Sequence, residues 1–67
     1  MKPNEIIKTL RIQNNYSQQY VANYLKIDRS NYSKYELGKL EMNLTMLKKL
    51  CLLYNVSSDY ILGLKEI

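Results

Sequence analysis

Two short segments in the middle of the chain decide the fold: residues 18–25 have the sequence QQYVANYL, and residues 29–36 have the sequence RSNYSKYE. Val21, Ala22 and Leu25 give the first segment one apolar face at helical spacing. Only three residues separate the segments, and Ala22 is small enough to let a second helix approach closely. Two short helices joined by a tight turn form a helix-turn-helix, which is the local structure that the sequence predicts.

Capping and stop residues predict three more helices around this pair. Pro3 suits the first turn of a helix over residues 3–14, because the N–H that proline lacks has no partner there. Asn43 is expected to cap a fourth helix, and Ser57 a fifth over residues 58–62. Glycine and asparagine tolerate the left-handed backbone that closes a helix. The expected stop residues are Asn15, Gly38, Asn55 and Gly63.

The predicted fold class is therefore all-α, a compact five-helix globule that forms a single domain over residues 1–67. Ser17 and Asp28 stand at the expected N-caps of the second helix, residues 18–25, and the third, residues 29–37. Caps, stops and apolar periodicity agree with one another, and no segment alternates strictly between apolar and polar residues as a half-buried strand would.

The apolar positions predict which side chains form the core. In the first helix, Ile7 and Leu10 fall on one face, whereas Ile6 and Ile12 have no evident place inside and are expected at the surface. Tyrosine supplies every aromatic ring, since the chain has no Phe or Trp. The inward face of the fourth helix is expected to hold Leu44, Leu47, Leu50, Cys51 and Tyr54.

The composition argues against several classes of function. The chain has 67 residues, no His and one Cys, so it lacks the usual general base, the commonest metal ligand and a disulfide framework. We therefore expect neither an enzyme nor a site for a metal or another cofactor. The apolar runs are far shorter than the roughly 20 residues that span a bilayer, and no signal-peptide core follows the N-terminus. A cytoplasmic protein without membrane contact is expected.

The charge balance makes a polyanionic partner plausible, since ten Lys plus Arg against six Asp plus Glu give a formal net charge of +4. At about 100° per residue, the third helix places Ser30, Ser33 and Lys34 on one side and its tyrosines on the other. Arg29 lies at the rim of this outer side. Arg and Lys can pair with guanine in the major groove of DNA, and Ser with either type of base.

The order and spacing of such residues along the chain resemble those of the Cro/C1-type (XRE-like) helix-turn-helix domain of phage repressors and bacterial regulators. The resemblance covers about residues 7–64 and implies a lambda-repressor-like fold whose third helix, here about residues 29–37, enters the major groove. It is carried by Leu10-Arg11, Ser17-Gln18, Val21-Ala22, Leu25, YELGK at 35–39, Leu44, Leu47, Leu50 and YILG at 60–63.

The resemblance also implies roles for individual residues. The base-contacting positions hold Arg29, Ser30, Ser33 and Lys34. The positions that contact DNA phosphates hold Ser17, Gln18, Lys39 and Asn43. Arg11 and Glu36 match a pair that ties the first helix to the end of the third, and we expect this pair to be structural.

Two positions depart from the pattern of the family. Lys26 stands where the family usually has glycine, and a non-glycine residue at positive φ costs of order 1 kcal/mol, so a reshaped turn is an alternative. Tyr32 replaces a β-branched aliphatic residue. Its ring is expected in the core with its hydroxyl reaching water or a partner, and helix 3 would then tilt differently.

The function implied by the resemblance is sequence-specific binding of double-stranded DNA by a transcriptional regulator. A repressor that occupies a near-palindromic operator is favoured, because the second helix has no carboxylate for an activating surface. No small-molecule effector is evident. If the protein forms a homodimer, the expected patch is Ile61, Leu64 and Ile67. The alternative is a protein-interaction module, such as an antitoxin or anti-repressor, with a surface formed by Ile12, Tyr20 and Tyr24.

Overall fold

Five helices make up the part of the chain that is described, residues 1–64, in a computed structural model. They are α1 (Pro3–Gln13), α2 (Gln18–Leu25), α3 (Arg29–Glu36), α4 (Leu44–Tyr54) and α5 (Ser58–Ile61). No strand occurs in this range, so the predicted all-α class is confirmed. None of the helices up to residue 64 has the length and apolar character needed to cross a membrane.

Side-chain caps begin three of the helices where the sequence predicts them. Ser17, Asn43 and Ser57 each accept a hydrogen bond from the backbone N–H three residues further on, at 2.8 to 3.1 Å. Asp28 is the N-cap residue of α3, as predicted, and has the extended backbone of that position, but its carboxylate accepts no capping hydrogen bond. The start of α3 therefore depends on packing more than on a side-chain cap.

The predicted stop residues all have a left-handed backbone, with φ between 54° and 78°. These residues are Asn15, Gly38, Asn55 and Gly63. Lys26 shares this conformation, with φ 60° and ψ 43° at the end of α2. The turn between α2 and α3 thus keeps its left-handed residue although the side chain is lysine, and the alternative of a reshaped turn is wrong.

The core lies where α3 packs on α1 and α2 and where α5 packs on α1 and α4. Its buried apolar residues are Ile6, Ile7, Leu10, Val21, Ala22, Leu25, Tyr32, Met46, Leu47, Leu50, Tyr54 and Ile61. Hydrophobic burial at these positions is the main stabilising contribution that the helices share.

Two core assignments from the sequence are wrong. Leu44 is 66% exposed, because Met46, Leu47 and Leu50 centre the buried stripe of α4 and Leu44 points about 100° away from it. Ile6 is buried, since around the helix axis it lies within about 100° of both Ile7 and Leu10 and so falls within the inward face of α1.

Tyr32 departs from expectation in one respect. Its ring is fully buried between the helices, as predicted, but its hydroxyl is also enclosed and has no hydrogen-bond partner within residues 1–64. The expectation that the hydroxyl reaches water or a partner is therefore wrong. Burial, together with the negative charge of Glu36, raises the pKa of Tyr32 well above its ordinary value.

Candidate nucleic-acid interface

The outer side of α3 carries the short and basic residues that the sequence assigns to base contacts. Arg29, Ser30 and Lys34 are exposed, and Ser33 is half-buried on the same side. Tyr32 and Glu36, the buried residues of α3, face the other helices. Because the only carboxylate of this helix is buried, no negative side chain of α3 faces outward.

The turn after α2 holds α3 in place. Lys26 ends α2 in the left-handed conformation, and the N–H of Ile27 donates to the carbonyl oxygen of Ala22 at 3.0 Å. Val21 and Ala22 are completely buried, and the small side chain of Ala22 leaves room for α3 to pack on α2. This geometry fixes the direction in which the outer side of α3 projects.

Predicted phosphate contacts at the start of α2 lie next to the start of α3. The Ser17 hydroxyl accepts from the Tyr20 N–H at 3.0 Å and still has its own proton to donate. The Gln18 side-chain oxygen accepts a hydrogen bond from Nη1 of Arg29 at 3.3 Å. The first turn of α2 contains no acidic residue, so its free N–H groups suit an anion.

The two other predicted phosphate contacts belong to the segment between α3 and α4. The backbone N–H of Lys39 donates to the carbonyl oxygen of Lys34 at 2.9 Å, which keeps Lys39 close to the last turn of α3. Asn43 uses Oδ1 to cap α4 by accepting from Met46, and its side-chain NH₂ group remains a donor. Both side chains are exposed.

A buried ion pair joins α1 to the end of α3. Arg11 donates from Nε to Oε2 of Glu36 at 2.7 Å and from Nη2 to Oε1 at 3.2 Å. Arg11 also donates from Nη1 to the backbone oxygen of Tyr16 at 3.0 Å, and Asn4 donates to the backbone oxygen of Glu36 at 3.2 Å. These contacts hold α3 against α1.

The ionisation of this pair follows from its contacts. Burial alone would raise the pKa of Glu36, but the hydrogen bonds from Arg11, the nearby hydroxyl of Tyr32 and the amide of Gln18 together outweigh it and lower the pKa below its ordinary value. The same contact with Glu36 raises the pKa of Arg11. Both side chains are therefore charged at neutral pH.

Two contacts of Gln18 could not be predicted from the sequence. Gln18 donates from Nε2 to Oε1 of Glu36 at 3.0 Å, while its own oxygen accepts from Arg29. The sequence predicts only a phosphate contact for Gln18 and only the ion pair with Arg11 for Glu36. No local signal reveals the link, because these residues lie 11 and 18 positions apart and meet only through the packing of α2 on α3.

The predicted dimer patch is only partly present at the surface. Ile61 is completely buried in the core, because α5 turns this side chain toward α1 and α4, so its assignment to a dimer patch is wrong. Leu64 is 75% exposed. Ile67 lies outside the described residues.

A different exposed apolar surface surrounds a groove between α4 and α5. We call it the α4–α5 patch and define it by Leu44, Leu52 and Leu62, which are 66%, 77% and 41% exposed. The half-buried Cys51 and Val56 line the groove between them. None of these residues belongs to α2 or α3, so the patch and the outer side of α3 are separate surfaces.

The alternative interaction surface is also exposed. Ile12, Tyr20 and Tyr24 are accessible, and the ring of Tyr20 stacks on the half-buried ring of Tyr16 with centroids 4.5 Å apart. Exposed aromatic side chains are common in protein interfaces, but scattered ones are also ordinary on a protein surface.

The fold and this site together define a class of protein. Two short helices meet at a tight turn, the second presents a polar and basic side outward, and three further helices support the pair. The molecule is a helix-turn-helix domain.

Comparison with known proteins gives the family. The helix-turn-helix family model matches residues 7–61, so the chain belongs to this family, and the resemblance to the Cro/C1-type (XRE-like) domains is confirmed. Two similar proteins come from Bacillus subtilis. The SPbeta prophage-derived HTH-type transcriptional regulator YonR is 45% identical over 58 residues, which cover 87% of this chain and 54% of YonR. The HTH-type transcriptional regulator ImmR is 39% identical over 61 residues, 91% of this chain and 48% of ImmR.

The length of these relatives differs from that of the chain. The chain spans about half the length of the curated relatives it matches. The similarity therefore concerns the helix-turn-helix domain.

Proposed function

We propose that the chain is a transcriptional regulator that binds specific sequences in double-stranded DNA. The observation that carries this proposal is the outer side of α3, where Arg29, Ser30 and Lys34 are exposed and no carboxylate of the helix faces outward. The names of both relatives, which call them transcriptional regulators, support it.

The proposed mechanism places α3 in the major groove. Arg29 pairs with the O6 and N7 atoms of a guanine, Lys34 reaches similar acceptors, and the two serines contact neighbouring base edges. A well-aligned bidentate pair gives about 1–3 kcal/mol of discrimination against a wrong base. The phosphates on either side are held by Ser17, Gln18, Lys39 and Asn43, which set the register of α3 without reading the sequence.

We further propose that two copies bind a near-palindromic operator and repress transcription by excluding polymerase. Successive major grooves on one side of DNA lie about 34 Å apart, so two copies of α3 are needed to occupy both half-sites. The α4–α5 patch is the surface we assign to the second copy. Because it shares no residue with α2 or α3, both surfaces can be occupied at the same time.

The dimer is tested by sedimentation of the full chain with and without operator DNA. Leu52→Glu places a charge in the α4–α5 patch without touching the core, since Leu52 is 77% exposed. We expect the native chain to load two copies onto the operator cooperatively, and the variant to bind the two half-sites independently of each other. Two copies binding with unchanged cooperativity in the variant would refute the assigned surface.

The base and phosphate roles are separated by two lysine variants and a charge-matched control. Lys34→Ala should weaken binding to the preferred duplex by about 1–3 kcal/mol and relax its specificity, whereas Lys39→Ala should weaken binding to all duplexes and flatten the salt dependence by about one unit. Lys8→Ala, at an exposed position of α1, removes the same charge outside α2, α3 and the α4–α5 patch and should change neither specificity nor the salt dependence. Fluorescence anisotropy over a salt series measures all three.

The result that would overturn this proposal also identifies the alternative. If no genomic duplex binds more tightly than random duplex at physiological salt, DNA recognition fails as the function. The fold would then be better explained as a protein-interaction module, an antitoxin or anti-repressor, with Ile12, Tyr20 and Tyr24 as its accessible surface.

A further inference from the structure

A continuous line of side-chain contacts leads from the core to the residue at the start of α3. Arg11 holds the carboxylate of Glu36, Glu36 accepts from Gln18 Nε2 at 3.0 Å, and Gln18 Oε1 accepts from Arg29 Nη1 at 3.3 Å. Glu36 is buried, Arg11 is half-buried, and Arg29 is at the surface. The chain of contacts therefore connects a buried charge to a side chain on the proposed DNA-binding face.

The Gln18 amide has two different ends, and the buried charge distinguishes them. Its NH₂ group donates hydrogen bonds and its carbonyl oxygen accepts them. The ionised Glu36 carboxylate only accepts, so the amide must point its nitrogen at Glu36; the reversed amide would place two acceptors against each other. Arg29 then meets the carbonyl oxygen of Gln18 rather than its NH₂ group, and a guanidinium can bond only to the oxygen.

We infer that Glu36 is a positioning residue for DNA recognition: by fixing the orientation of the Gln18 amide, it holds the Arg29 guanidinium in the geometry that reads one base pair. This inference rests on the proposed DNA-binding function. It gives Glu36 a role beyond joining α1 to α3, and it gives Gln18 a role beyond a phosphate contact. The second N–H of Gln18 remains free for a phosphate.

The arrangement suits this role because Arg29 needs only one of its donors for Gln18. A guanidinium has five N–H donors in a rigid plane, so the hydrogen bond from Nη1 to Gln18 leaves the other N–H groups of Arg29 available to a guanine. A long exposed arginine loses side-chain entropy when it is fixed on DNA. Fixing it in the free protein reduces that loss for the one orientation that fits.

The test uses Gln18→Met, a variant of similar shape that removes both hydrogen bonds of the amide. The Glu36 carboxylate keeps its two bonds from Arg11, so the fold retains its ion pair. Gln19→Met is the matched control, because Gln19 lies on the same helix but is exposed and bonds to Asn23. Specificity profiles are measured by anisotropy against the preferred duplex and every single-base variant of it.

We expect Gln18→Met to reduce discrimination about fivefold at the same base pair at which Arg29→Ala reduces it, the factor that corresponds to one ordinary hydrogen bond. The double variant Gln18→Met/Arg29→Ala should show no further loss at that base pair. Gln19→Met should leave the profile unchanged. A Gln18→Met effect that is uniform over all sequences, or fully additive with Arg29→Ala, would overturn the inference and leave Gln18 a phosphate contact only.

A second variant acts at Glu36 itself. Arg11→Met/Glu36→Gln removes both charges together, and the new amide at position 36 can offer either end to Gln18, so the fixed orientation is lost. If circular dichroism shows that this variant is folded, its DNA-binding discrimination should decrease at the base pair read by Arg29. Unchanged discrimination at that base pair would overturn the inference. If it does not fold, Gln18→Met alone decides. A native chain without any sequence preference would instead refute the proposed function, and the inference with it.

Discussion

Replacing Lys26 by glycine is expected to stabilise the protein. Lys26 has φ 60° and ψ 43°, a left-handed backbone that glycine adopts without steric strain. The conformation is imposed by its surroundings, because the Lys26 N–H donates to the carbonyl oxygen of Asn23 at 3.1 Å and the Ile27 N–H donates to that of Ala22 at 3.0 Å. These bonds end α2 and direct the chain into α3, so the turn cannot relax without displacing α3.

The size of the effect follows from two opposing contributions. A left-handed backbone costs a residue with a Cβ atom roughly 1–2 kcal/mol, and glycine removes this strain. Glycine also makes the unfolded chain more flexible, which costs about 0.4–1 kcal/mol. The difference predicts a gain of about 0.5–1 kcal/mol in the free energy of unfolding, or a rise in Tm of roughly 2–8 °C for a domain of this size.

Thermal and urea unfolding, followed by circular dichroism, measure this gain. Lys26→Ala is the charge-matched control, because it removes the charge and leaves the strain, and it should be nearly neutral. Lys39→Gly tests an unstrained position, since Lys39 does not have a positive φ, and it should lower stability. A Lys26→Gly variant that is destabilised as much as Lys39→Gly would refute the reasoning.

Three further predictions concern the buried polar residues. Arg11→Met should lower the free energy of unfolding by about 3–5 kcal/mol, because it leaves the Glu36 carboxylate buried without its cation, and Arg11→Met/Glu36→Gln should lose less; urea denaturation compares them. The pKa of Glu36 is lower in the folded state than its ordinary 4.5, so the contribution of the ionised Glu36 to the free energy of unfolding is complete above pH 4.5 and should be lost as the pH falls through the folded-state pKa. Urea midpoints between pH 7 and pH 3 test this. An equal decline in the midpoint of Arg11→Met/Glu36→Gln would contradict it. Tyr32→Phe should raise stability by about 1 kcal/mol, since it removes a buried hydroxyl without a partner, and a loss in thermal unfolding would mean that the hydroxyl donates to Glu36.

The sequence predicts the helices closely because their ends are encoded locally. A serine or asparagine cap affects the N–H three residues away, and a left-handed stop residue affects only its own backbone, so neither depends on the rest of the fold. Each predicted helix end lies within one residue of the observed end. The exposed residues on the outer side of α3 were predicted for the same reason, because helical periodicity alone separates Arg29 and Lys34 from Tyr32.

The wrong predictions concern features that depend on how the helices pack. Apolar spacing did not distinguish the exposed Leu44 from the buried Ile6, since both lie near the edge of an apolar face and only the neighbouring helices decide. Ile61 was assigned to a surface patch although α5 turns it completely inward. The contacts of Gln18 with Glu36 and Arg29 also require the packed structure, because they join the start of α2 to both ends of α3.

The central claim is that the outer side of α3 recognises specific DNA, and one measurement tests it most directly. Genomic fragments are selected on the full chain, and the affinity for the best duplex is compared with that for a scrambled duplex of equal composition at physiological salt. We predict that the selected duplex binds at least about 10³-fold more tightly, as is typical of specific recognition, and that Arg29→Ala and Lys34→Ala each remove part of this ratio. Equal affinity for the selected and scrambled duplexes would contradict the claim.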